Sequence, residues 1–318
     1  MEDTMKSSEA ALNQKQIKLD DRKILKRELK KNWDCYVYLL PYGLVFITFT
    51  VIPVIASMFL SFTYFNVLEW PKFLGLDNYK NLLVNDDVFL TSVKNTFLIA
   101  LVTGPIGYLA SLMFAWFINE LKPVTRAIMV TVMYAPSISG GAYMIWMILF
   151  SNDQYGYING ALLNLGLIVE PIQFMNDVKY MIWVCIIVMI WMSLGAGFLS
   201  FVAGFRMIDR TLYEAGYVEG IRNRWQELWF ITLPSMKPQM LFGAVMSITA
   251  SFSVGAVTTA LFGFPSTNYA VHTIINHLED YGGIRFEMGY ACAIASILFV
   301  TMVGVNELVQ RILNKVGQ

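Results

Sequence analysis

Residues 206–238 read RMIDRTLYEAGYVEGIRNRWQELWFITLPSMKP, a polar interruption between two long apolar runs. Asp209 or Thr211 is placed to cap a helix through Leu212, Tyr213, Ala215 and Val218, since a short polar side chain ahead of a helix satisfies its first free N–H groups. Gly220 interrupts that helix, and a second helical stretch starts near Asn223, where Trp225, Leu228, Trp229 and Thr232 fall at i, i+3, i+4 and i+7. Pro234 and Pro238 bend the chain into the next apolar run. A short helix, a glycine break and an aromatic-rich helix suit a knob that docks on another protein, or a connector lying flat on a bilayer. The residues alone leave both open.

Outward from this loop, the charges mark six windows. Asp34 and Glu69 bracket 34 residues without a full charge, the most apolar part being Tyr36 to Phe62. Lys94 and Glu120 enclose 25 more, Arg126 and Asp153 26, and Lys179 and Arg206 another 26. Beyond Lys237 an apolar run reaches about Leu261, and Met288 to Asn306 supplies 19 residues. About 20 residues of helix cross about 30 Å of hydrocarbon. One such window fits the core of a large protein, but six cannot be buried by so little remaining chain.

Composition agrees. In 318 residues, 56% are hydrophobic and only 14% charged, against about 25% charged in soluble domains, so a water-soluble enzyme is excluded. Cys35, Cys185 and Cys292 lie far apart, match no metal spacing and read as buried apolar thiols. Several windows contain poor helix formers: Gly104, Pro105 and Gly107; Pro136, Ser137, Ser139, Gly140 and Gly141; Gly195 and Gly197. In lipid, small residues let helices approach closely and proline kinks are tolerated where neighbours satisfy the freed carbonyls. Such helices suit packing and movement.

Lys and Arg in alternate loops set orientation. With the N-terminus inside, 18 fall on the inner face and 5 on the outer, and 9 against 5 once the N-terminal arm is left aside. Both termini are therefore expected in the cytoplasm of a multi-pass cell-membrane protein. The expected division is a cytoplasmic arm at 1–34, a transmembrane domain at 35–312 and a tail at 313–318. Spans are expected at about 36–62, 95–119, 128–150, 180–204, 238–261 and 288–308, with the long inner loop at 206–237. The first window reads as a retained helix rather than a cleaved signal. In the arm, Leu25, Leu29 and Trp33 recur at i+4 amid basic residues, which fits a helix on anionic headgroups or a solvated arm whose charges only set topology.

The run Glu214-Ala215-Gly216, Gly220 six residues after Glu214, and Ile231-Thr232-Leu233-Pro234 resemble the "EAA" loop of ABC importer permeases, approximately E-A-A-x-x-D-G-A, about nine residues, then I-x-L-P. The sequence keeps Glu214, Ala215, Gly220, Ile231, Leu233 and Pro234, and departs at Gly216, Glu219 and Ile221. Further runs resemble the carbohydrate branch of that family, the MalF/UgpA-like six-helix permeases: YLLPYGLVFITFTVIPVIASMFLSFTYFN from Tyr38, LDNYKNLL from Leu76, NTF from Asn95 and YAPSISGGAYMIW from Tyr134. The resemblance covers roughly residues 35–312.

It implies an all-α integral membrane protein with six transmembrane helices in the type I ABC importer permease fold. It also implies a second related permease, two ABC ATPase subunits, an external or periplasmic solute-binding protein, and a carbohydrate, in particular an oligosaccharide, as solute. Glu214, Ala215, Gly216, Glu219 and Gly220 would form the helix and turn that seat on an ATPase, with Trp225, Ile231, Leu233 and Pro234 holding that knob to the fifth span. The chain has no GxxxxGK[ST] phosphate cradle, so ATP and Mg are expected on partner subunits, with no catalytic residue, resident cofactor, metal or nucleic acid here. Sugars need hydroxyl partners and aromatic faces, and Tyr143, Trp146, Asn152, Tyr155, Trp183 and Trp191 are candidates for the substrate pathway. Each aromatic equally fits helix packing or an interfacial belt. His272 and His277 read as part of a surface loop or short external helix. The alternatives are a secondary transporter, a membrane enzyme, or an ABC permease for a non-sugar solute; no span offers a convincing mid-membrane ion site.

Overall fold

The computed structural model describes residues 31–314; Leu25 and Leu29 of the arm, and most of the tail, lie outside them. Helix α1 (Trp33–Leu60) has 28 residues, and a boundary between two compact units falls within it, between Ala56 and Ser57. In the second unit a short hairpin follows, with β1 (Thr63–Tyr64) antiparallel to β2 (Lys72–Phe73). Then come α2 (Asp87–Asn119), α3 (Pro123–Ile138), α4 (Ala142–Leu149), α5 (Tyr157–Asn164) and α6 (Val178–Met207). The polar loop holds α7 (Arg210–Val218) and α8 (224–235). It leads to α9 (Lys237–Phe262), a short α10 (Ile274–Glu279) and α11 (Met288–Asn314).

Among the described residues, α1, α2, α6, α9 and α11 are long and apolar enough to cross a membrane. The third window differs from a straight span over 128–150. It is a bent pair, α3 and α4, meeting at 88°. Pro136 withdraws one backbone donor, and Ser139 turns to an extended conformation ahead of Gly140 and Gly141. Counted as one span, the pair gives six. Helix α2 starts at residue 87, not 95, because Asp86 caps it by accepting the Phe89 N–H at 2.8 Å. Helix α11 runs to 314 with a Glu307–Arg311 ion pair one turn apart. Charges end a membrane window but need not end a helix.

Lipid is as apolar as leucine, so fit rather than water exclusion holds these helices together. Three apolar clusters do this. Met181, Val184 and Val188 of α6 meet Ile99 of α2 and Val257 of α9. Nearer the 206–238 loop, Leu112 and Ala115 pack with Phe198, Phe201, Leu228 and Met236. Ile248 and Phe252 of α9 meet Ile294 and Leu298 of α11. Helices α6 and α9 cross at Gly197 and Gly243, where a Cβ on Gly197 would stand 3.4 Å from the Gly243 backbone. Of the three thiols, only Cys185 is buried; Cys35 is exposed and Cys292 half-buried.

At the end opposite the loop, the segment holding the two histidines contains a short helix, as one of its readings expects. Both side chains are nonetheless buried, His272 at 3% exposure and His277 at 2%, so the surface-loop reading is corrected. Distant residues hold the segment in, although His272 Nε2 and His277 Nδ1 are buried with no hydrogen-bond partner among the described residues. Asn95 donates to the carbonyls of Tyr269 and His272, and His277 Nε2 lies 3.0 Å from Asp86, which also accepts from Tyr290. Burial favours a neutral imidazole. It pushes His272 down to about 4, with the neighbouring His277 adding to the effect, and lowers His277 against the pull of Asp86.

A pH dependence follows. Below the ordinary imidazole value of 6.5 the unfolded chain takes up a proton that folded His272 refuses until about 4. Thermal stability is expected to fall as pH drops through that window, and His272→Phe is expected to flatten the slope in melting curves. An unchanged slope would show that His272 is not the titrating group.

Candidate functional site

Within the loop, Asp209 accepts the Thr211 N–H at 3.0 Å and starts α7. The helix ends at Gly220, whose φ of +98° only glycine adopts without strain. Asn223 caps α8 by accepting the Gln226 N–H at 2.8 Å, while Gln226 Oε1 accepts the Arg222 N–H at 2.9 Å. One buried carboxylate joins these pieces. Glu227, 4% exposed, accepts from the Tyr217 hydroxyl at 2.7 Å and from Arg224 at 2.9 Å. Arg224 also reaches Glu120 beyond the end of α2, at 3.0 Å. The Glu227 carboxylate holds the Tyr217 phenol above its ordinary pKa and does the same for Arg224. Tyr213 and Thr232 share a 2.9 Å hydrogen bond, and Thr232 donates back to the Glu227 carbonyl. Helix α7 is thereby tied to α8, and α8 to the end of α2.

The sequence departures sit against one another. A Cβ on Gly216 would lie 2.6 Å from Ile231 Cδ1 and 3.1 Å from Ile221 Cδ1. Glycine at 216 makes the room that the bulkier Ile221 occupies. On the outer surface of the loop, Glu214, Ala215, Glu219 and Gly220 are exposed, as is Val218 at 89%. Gly216 and Leu233 are buried, Ile231 is half-buried and Pro234 exposed. Trp225 lies with its ring 4.9 Å from that of Trp116, and Trp229 is 63% exposed. The charged part of the anchoring comes from Tyr217, Glu227 and Arg224, which sequence reasoning missed, beside the packing of Ile231 on Gly216 and Trp225 on Trp116. Their signal was Glu227 itself, a carboxylate lying between Trp225 and Leu228 of the apolar i, i+3, i+4 pattern.

The pathway candidates are not brought to one place. Trp146 and Trp191 meet edge to face at 5.6 Å, and Tyr143 packs against the same apolar cluster as both Trp146 and α6. Asn152 is occupied in its connector, accepting the Met175 N–H at 2.8 Å. Tyr155 and Trp183 are exposed. None of the six lines the cavity inside the bundle.

That cavity has a volume of about 290 Å³ and is walled by α2, α3, α6 and α9. Three of the long helical segments break beside it: α3 past Ser137, α6 at Ser193–Gly195, and α9 at Ser253. Irregular backbone at membrane depth is tolerated where it lines a cavity. The hydroxyls of Thr103, Ser137, Ser193, Ser247 and Ser251 each donate to a backbone carbonyl. Their oxygens keep lone pairs free to accept from a solute, since a hydroxyl donates once and accepts twice.

The profile of the family described as "Binding-protein-dependent transport system inner membrane component" matches residues 104–315. The chain is 33% identical over 286 residues to a probable ABC transporter permease protein, YesP, of Bacillus subtilis, covering 88% of this chain and 90% of that one. It is 28% identical to the arabinooligosaccharides transport system permease protein AraP of the same organism, covering 85% of each. Among solved structures, a chain of a bacterial ABC transporter that imports the acidic polysaccharide alginate superimposes with a TM-score of 0.69 at 25% identity, covering 91% of this chain and 99% of that one. The fold, the loop and these likenesses agree, and the chain belongs to the binding-protein-dependent inner-membrane components, the permease subunits of ABC importers.

Proposed function

We propose that this chain forms half of the translocation path of a carbohydrate importer, with an oligosaccharide as the solute. A related permease would supply the other half, and an external binding protein would deliver the sugar. ATP with Mg would be hydrolysed on two partner ATPases. The chain would lie with both termini and the 206–238 loop in the cytoplasm, an orientation supported by the 18 to 5 distribution of basic residues. The carbohydrate assignment draws support from the relative named for arabinooligosaccharides and from the alginate transporter crystallised with a pentasaccharide-bound periplasmic protein.

The observation that carries this reading is the meeting of three interrupted helices at one hydroxyl-lined cavity. Past its break, α6 borders that cavity at Ala196, Gly197 and Phe201 and runs on to Met207, two residues ahead of the Asp209 cap of the loop. Movement of the knob therefore reaches the cavity along one helix. Exposed Glu214, Ala215 and Glu219 would seat on the ATPase, and Glu214 is free to pair with a basic or hydroxyl group there. The path would run through the serine-lined cavity rather than along the dispersed aromatic candidates.

The test is to fill the cavity. Ala250→Trp, on its wall, is expected to reduce sugar uptake by about tenfold or more, the effect of roughly 1.4 kcal/mol on the transport barrier. Co-purification of the ATPase subunits should be unchanged. Normal uptake by this variant in proteoliposomes would move the path elsewhere.

A further inference from the structure

A second cavity, about 500 Å³, lies between the loop and the adjoining ends of α2, α3 and α6. Four arginines border it, Arg126, Arg206, Arg210 and Arg224, against two carboxylates, Glu120 and Glu227. Both carboxylates are committed to Arg224, at 3.0 and 2.9 Å. Arg126 spends one end on the carbonyls of Asn119 and Leu121, while its Nε is buried with no partner. Among the described residues, Arg206 and Arg210 make no ion pair. The cavity thus holds a positive surplus that no group among the described residues neutralises. The coupling ties explain Arg224, and Arg126 closes the end of α2, which leaves Arg206 and Arg210 without a task.

We infer that this cavity binds a phosphate group, carried by an anionic lipid headgroup or by a free organic phosphate. Guanidinium forks match phosphate oxygens in pairs and are less strongly hydrated than ammonium groups. Depth fits as well. The cavity opens where the uncharged windows flanking Glu120 and Arg206 end, the level of headgroups in a bilayer, and basic pockets beside helix ends are where anionic lipid is held. A bound anion would draw α7, through Arg210, toward the ends of α2, α3 and α6, and so brace the knob that receives force. The inference concerns occupancy of this cavity and does not need the sugar assignment. Only the choice of leaflet rests on the proposed orientation.

The test uses the complete importer, both permeases with their ATPases, purified from nanodiscs of mixed phosphatidylglycerol and phosphatidylcholine. Native mass spectrometry reads the phosphatidylglycerol retained, with inorganic phosphate as competitor. Wild type is expected to retain phosphatidylglycerol, and the double variant Arg206→Gln, Arg210→Gln to retain about tenfold less. The charge-keeping pair Arg206→Lys, Arg210→Lys should hold an intermediate amount, which separates charge recognition from misfolding. Retention that inorganic phosphate cannot displace identifies the lipid headgroup. Phosphate binding without lipid retention identifies a free phosphate compound. Equal lipid retention and equal phosphate binding in wild type and the glutamine variant would overturn the inference. So would loss of the ATPase subunits from the glutamine variant with no anion bound to wild type, since an acidic side chain of the ATPase would then be the occupant.

Discussion

An importer carrying Glu227→Ala is expected to go on hydrolysing ATP while its sugar uptake falls by about tenfold or more. The change removes the carboxylate that accepts from Tyr217 and Arg224. It leaves a void at a position only 4% exposed. Breaking a wholly buried ion pair costs about 3–5 kcal/mol, but Arg224 is itself 61% exposed and recovers water, so the loss is nearer 2 kcal/mol. A loss of that size changes the share of intact knobs by about thirtyfold. Helix α7 keeps its Asp209 cap and the exposed face proposed to seat on the ATPase, so the ATPase is expected to bind and turn over while its stroke bends the loop instead of moving α6. Glu227→Gln preserves the shape and one acceptor, and should fall between the two.

The largest effect on folding is expected at Gly289. A Cβ there would lie 2.0 Å from the carbonyl oxygen of Thr63 and 3.0 Å from the Phe65 nitrogen. These are backbone atoms, and they cannot withdraw. Asn78 donates to the same Thr63 carbonyl at 3.0 Å and to that of Ser61 at 2.9 Å, and the Gly289 N–H is held by the Phe65 carbonyl. Gly289→Ala must therefore part α11 from the hairpin, a cost of about 4 kcal/mol or more. Most of the variant should be lost from the monodisperse fraction in detergent. Gly304→Ala lies on the same helix with nothing within 4 Å and should behave as wild type. Equal yields from the two would remove this contact from the account of the fold.

The sequence and the structure agree where the physics is local. Caps at Asp209 and Asn223 and the stop at Gly220 are properties of a few neighbouring residues, so the shape of the loop was legible. So were most of the helices, because uncharged length is itself the requirement of a bilayer. The bend of α3 into α4 was half visible in Pro136 and the glycines after it, but its 88° angle depends on neighbours. Contacts between distant residues were not legible. His277 is held by Asp86, 191 positions away, which accepts from it, and the serine-lined cavity arises beside breaks on three separate segments. Aromatic residues are conspicuous in a sequence, whereas the groups that face the cavity include serines between apolar neighbours, alongside Tyr108 and Phe201.

Whether force enters through one rigid loop is tested by sugar uptake and ATP hydrolysis in the same proteoliposomes, for wild type and Glu227→Ala. Hydrolysis is expected to persist while sugar carried per ATP falls by about tenfold. An unchanged ratio in a variant that has lost the Tyr217 and Arg224 contacts would contradict it.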